Sequence, residues 1–97
     1  QIQITLKPDT QIDIRNEKKQ LVYSTEKNQV SNINVQTKTN YSNKVITLFN
    51  MDNCVIQSNY GGEIKLEYIK AGVKKNEKTI KLNKHQKLLV DEGVLSE

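Results

Sequence analysis

Apolar and polar residues alternate with a period of two along most of this chain. In QIQITLK, residues 1–7, Ile2, Ile4 and Leu6 fall on one face, and Gln1, Gln3, Thr5 and Lys7 on the other. Successive side chains of a strand point to opposite faces, so this alternation predicts a half-buried strand. Pro8-Asp9 ends it, because proline cannot donate to a ladder. The pattern resumes in QIDIR with Ile12 and Ile14, passes a polar turn at NEKK (residues 16–19), and returns in QLVYST.

After the polar connection STEKNQVSN, INVQTKT places Ile33, Val35, Thr37 and Thr39 on one face. NYSN, residues 40–43, predicts a turn, being rich in residues that tolerate left-handed backbone. KVITLFN is apolar on both faces and predicts a central strand; MDN breaks it and CVIQS begins another. NYGGE predicts a hairpin turn. EIKLEYIKA then aligns Ile64, Leu66 and Tyr68, KKNEK (residues 74–78) predicts a further polar turn, and KTIKLN presents Ile80 and Leu82. The last stretch could start a helix capped by Asn83. Its lysines would then sit at the positive end of the helix dipole and its acids at the negative end, so a short strand through KLLVD is favoured. Val45, Leu48, Phe49, Leu66 and Tyr68 are expected to share one core.

Short strands at such spacing, parted by polar turns, predict an all-β fold: a single-domain antiparallel β-sandwich over residues 1–97. In size and alternation the chain resembles the small immunoglobulin-like accessory domains of bacterial surfaces and periplasm. That likeness is one of class and carries no functional residues with it. An OB-like small barrel is the alternative architecture.

The chain has 97 residues and one cysteine, Cys54, so no intramolecular disulfide can form. Free cysteine is among the most buried residue types, and Cys54 is expected in the core. A zinc site needs about four nitrogen or sulfur ligands, against one cysteine and one histidine here. Asp9 and Asp13 are too few for a calcium loop. His85, inside a lysine-rich segment, has no evident nucleophile and is expected to face solvent. Gly61-Gly62 lacks the surroundings of a phosphate loop. Asn40 opens an NYS sequon of a kind that arises by chance in asparagine-rich chains. No apolar run reaches the roughly 18 residues of a transmembrane helix. The expectation is no catalytic residues, no metal, no cofactor and no enzymatic activity.

Charge changes the picture most. The formal net charge is +4, and residues 65–87 alone hold eight lysines against Glu67 and Glu77. Lys65, Lys70, Lys74, Lys75, Lys78, Lys81, Lys84 and Lys87 are therefore candidates for an anion-binding face, suited to anionic polysaccharide, phospholipid or nucleic acid. Arg15 is the sole arginine and aromatics are sparse, which weakens a nucleic-acid reading. The rival reading is a solvated edge, since lysine on an exposed strand discourages pairing with another chain. Ile2, Ile4 and Leu6, in a terminal strand with only Lys7 as charge, are the candidate strand-pairing edge.

These features predict a non-enzymatic binding or assembly module with a protein partner, of the accessory or adhesive kind in secreted, periplasmic or cell-surface systems rather than the cytoplasm. An intracellular OB-like binder of single-stranded nucleic acid, using the 65–87 face, is one alternative. A structural subunit of a homo-oligomer is another.

Overall fold

The computed structural model describes residues 1–27, 29–31, 33–39, 43–49 and 53–91. Among the described residues ten strands follow in order: β1 (Ile2–Leu6), β2 (Ile12–Asn16), β3 (Leu21–Ser24), β4 (Gln29–Val30), β5 (Val35–Thr39), β6 (Lys44–Leu48), β7 (Asn53–Ser58), β8 (Gly62–Lys70), β9 (Val73–Leu82) and β10 (Lys87–Asp91). They form two five-stranded antiparallel sheets. The first has the order β5-β6-β1-β8-β9 and the second β10-β7-β2-β3-β4. The fold is all-β, and its two layers are compatible with a β-sandwich. The described strands make two separate open sheets, not the single rolled sheet of the barrel alternative.

The alternation read from the sequence decides which side of each sheet is buried. Ile4 lies between Ile46 and Leu66, and all three are fully buried. On the other sheet Ile14 lies between Tyr23 and Ile56, and these too are buried. Both rows belong to one hydrophobic cluster, completed by residues such as Val35, Cys54, Leu82 and Val90. The inner layer is chiefly aliphatic, as β-branched and leucine side chains suit a pleated surface.

The chain changes sheet between β1 and β2, where Thr10 N–H donates to the Lys7 carbonyl at 3.2 Å and Asp9 takes a left-handed φ of 69°. It changes again between β7 and β8. NYGGE is therefore a crossing between layers and not the hairpin its composition predicts. Ser58 Oγ accepts from Gly61 N–H at 2.7 Å, and the Ser58 backbone bonds to both His85 and Gln86. Gly62 has a φ of 136°, and a Cβ there would lie 2.6 Å from Thr10 Oγ1, so the crossing requires glycine.

Three further expectations are corrected. The β8–β9 turn is Ala71-Gly72, with φ of 53° and 77°, the mirror-image geometry that matches strand twist. Residues 74–78 belong to β9, because an edge strand with one ladder partner tolerates polar sequence. β6 lies second from the edge, and a two-layer structure covers only one of its faces. Ile46 and Leu48 point inward, while Val45 and Phe49 are only half-buried. Leu66 does join the core, and Tyr68 packs against it partly buried. Ile33 is 97% exposed, since the buried run begins at Val35. The short strand through KLLVD is present as β10. The Asn40 sequon, most of the 40–43 turn and residues 92–97 lie outside the described residues.

Tyr23 is 1% exposed, and its hydroxyl has no hydrogen-bond partner among the described residues. Tyr23→Phe keeps the ring and removes a costly buried polar atom, so it should leave stability unchanged or raise it. Tyr23→Ala should cost about 3–5 kcal/mol, as for other buried aromatics. Urea unfolding checks both; a loss above about 1 kcal/mol in Tyr23→Phe would mean the hydroxyl is bonded.

Cys54 is buried, and desolvation pushes its thiol up to about 12. A thiol-specific reagent should therefore label the native protein only as fast as the protein opens. Labelling within mixing time in the absence of denaturant would contradict this.

Candidate functional site

The lysine-rich hairpin was the strongest functional signal in the sequence, and the β8–β9 register sets three glutamates among its lysines. Glu63, Lys65 and Glu67 share the outer face of β8, opposite Lys81, Thr79 and Glu77 of β9. Lys65 Nζ lies 3.4 Å from Glu77 and 3.9 Å from Glu67. Lys74 Nζ lies 2.7 Å from Glu77 and 3.9 Å from Glu67. Lys7, on the neighbouring chain segment, reaches Glu63 at 2.8 Å. The hydrogen bonds from Lys74 and then Lys65 hold the Glu77 carboxyl below its ordinary value, and the bond to Glu77 raises Lys74. The result is a lattice of alternating charge.

The remaining lysines are dispersed. Lys70 and Lys75 lie near the hairpin end, Lys75 at a register shift that leaves it without a ladder partner. Lys78 falls on the inward parity, opposite Leu66, and is half-buried. Lys84 sits beside His85 in the exposed turn before β10, and Lys87 belongs to the other sheet. The eight lysines do not form one continuous face, because strand alternation and the final sheet crossing separate them.

Ile2, Ile4 and Leu6 are not an edge. β1 is the central strand of its sheet, paired along its length with β6 on one side and β8 on the other. All three side chains are buried in the core. A terminal strand is free of one chain connection, but that says nothing of its place in the sheet.

The edges are β5 and β9 in one sheet, β10 and β4 in the other. β4 has two residues, and β9 is bulged and rich in lysine. β5 is regular, has four exposed residues out of five, and carries only Lys38 as charge. Beside it a groove of about 430 Å³ is lined by Gln1, Gln3, Gln36, Thr37, Lys38, Val45, Thr47 and Phe49. A second groove, of about 450 Å³, is lined by Arg15, Asn16, Lys19, Val55, Gln57 and Lys87 on the other sheet. The sequence reading missed both. The polar run after Ile33 hints at the first, but the second depends on β10 and β2 flanking β7.

Among the described residues no group of three or more His, Cys, Asp or Glu is placed to hold a metal. No helix among them is long and apolar enough to cross a membrane.

The Glu77 pairs set a pH-dependent contribution to stability. Because its folded-state value is depressed from 4.5, that contribution is present above the unfolded value and lost as pH falls through the folded one. Glu77→Gln should therefore lower Tm slightly at neutral pH and low salt, and match the parent once acid protonates Glu77. Raised salt should shrink the difference. Thermal melts of both proteins across this range check it; an equal gap at all pH values would assign the effect to something other than charge.

No protein-family model, curated protein or solved structure matches this chain, so neither its family nor its activity is assigned by likeness.

Proposed function

We propose that this chain is a non-enzymatic binding or assembly module with an immunoglobulin-like sandwich fold. It belongs to the accessory or adhesive kind that works in secreted, periplasmic or cell-surface systems. Its partner is a polypeptide, received by strand addition along β5.

The observation that carries this reading is the contrast between the edges. Unpaired N–H and C=O groups along a regular edge strand are a template for another strand, and proteins usually blunt them by charge, bulges or brevity. β9 and β4 show those devices, whereas β5 has one lysine and an unbroken register. The adjoining groove offers Val45 and Phe49 with the amides of Gln3 and Gln36. Strand addition draws affinity from main-chain bonds and specificity from such side-chain pockets. A homo-oligomer is the case in which a second copy supplies the strand. A single-stranded nucleic-acid binder draws less support, since Lys65 and Lys74 are paired with Glu67 and Glu77 and the eight candidate lysines are split between two sheets.

Thr37→Lys would place a charge at the centre of β5, opposite Ile46. Self-association should be followed by light scattering over a range of concentrations, and peptide binding by selection from a random-peptide library. The expected result is assembly, or enriched peptides with period-two alternation, abolished by Thr37→Lys and accompanied by slowed hydrogen exchange at 35–39. Association or peptide binding that Thr37→Lys leaves intact would overturn the assignment to β5. So would the absence of both.

A further inference from the structure

The outer face of the β10-β7-β2-β3 sheet carries a feature that strand addition at β5 does not use. Register places Leu89, Val55, Arg15 and Leu21 in one row across four strands. Alternation predicts a polar outer face here, yet Leu89 is 55% exposed and faces solvent beside Val55. Of this row Val55 and Arg15 line a groove, with Leu89 beside it on β10. Arg15, Lys19 and Lys87 all line the same groove, and none of its lining residues is a carboxylate.

The β2–β3 turn fixes two of the three. Asn16 Oδ1 accepts from the N–H groups of Lys18 and Gln20, both at 3.0 Å, and Lys19 takes a left-handed φ of 65°. Arg15 Nη1 then donates to the Lys19 carbonyl at 3.2 Å. The guanidinium is thus held at the groove while its other N–H groups remain available, and a planar fork of this kind suits carboxylates. Lys87 approaches from β10, opposite Gln57. Asp13 shares the face, also opposite Gln57, but does not line the groove.

We infer that this groove is a docking site for an extended acidic peptide segment of a partner protein, its carboxylates engaging Arg15, Lys19 and Lys87 and an apolar side chain covering Val55 and Leu89. Charge complementarity selects the occupant, and the apolar pair favours a peptide over a nucleic acid. No aromatic lines the groove, so the stacking platform that single-stranded nucleic-acid binders use is missing. The site lies on the opposite sheet from β5, so it stands or falls separately from strand addition.

The test is titration of the isotope-labelled protein, followed by NMR, with capped peptides. Glu-Leu-Glu-Val-Glu is the probe; Glu-Ser-Glu-Ser-Glu and Lys-Leu-Lys-Val-Lys are the comparisons. The first should shift the amides of residues 15–19, 55–57 and 87–89, and the other two should bind more weakly. Raised salt should weaken binding. Lys87→Glu and Arg15→Gln should each weaken it by about tenfold, and Lys87→Glu does so without touching the β2–β3 turn. Unchanged thermal melts would separate lost binding from lost folding. No shifts at millimolar peptide, shifts centred elsewhere, or equal binding of the serine peptide would overturn the inference. Tighter binding of a single-stranded oligonucleotide through the same residues would replace it with a nucleic-acid site.

Discussion

The structure depends on the burial of β1 at the centre of its sheet. Ile2, Ile4 and Leu6 form the apolar row to which β6 and β8 both register. Neither of those strands pairs with the other, so among the described residues β1 joins the two halves of that sheet. Burying such side chains contributes roughly 1.5–3 kcal/mol each, and a small domain has little to spare. The chain then crosses within a few residues to β2, which occupies the corresponding centre of the second sheet. One short N-terminal segment thus supplies the middle of both layers. Apart from β3, its partners arrive from far along the chain, a topology of high contact order that tends to fold slowly.

Two layers with one shared interior leave two outer faces, and these diverge. On the β1-β8-β9 side, Lys7, Lys65 and Lys74 lie at bonding distance from Glu63 and Glu77. On the β10-β7-β2 side, exposed Leu89 and half-buried Val55 lie beside cations that have no carboxylate in the same groove. Surface ion pairs contribute little to stability individually. Their consequence here is distribution: they decide where positive charge remains available.

The edges follow the same logic. Two open sheets cannot abolish their edges as a closed barrel does, so each must be managed or used. Lysine and a register shift manage β9, and brevity manages β4. β5 has neither, and a groove adjoins it.

The sequence alone determined the all-β class, the inward-facing rows of β1, β2 and β8, the burial of Cys54 and the solvent position of His85; it read β4 as part of a polar connection. These follow from period-two alternation and from burial preferences, which are local. It misled where neighbours decide the outcome. Residues 74–78 look like a turn, but the positive-φ pair Ala71-Gly72 makes the turn and β8 holds the lysines in a ladder. NYGGE has hairpin composition, yet it crosses layers, and Gly62 passes against Thr10 there. Only the tertiary structure decided that β1 is central, that Glu63, Glu67 and Glu77 meet the lysines, and that Arg15, Lys19 and Lys87 converge. Strand order and register are long-range properties. They are set by which rows of side chains fill the common interior, and no local pattern records that choice.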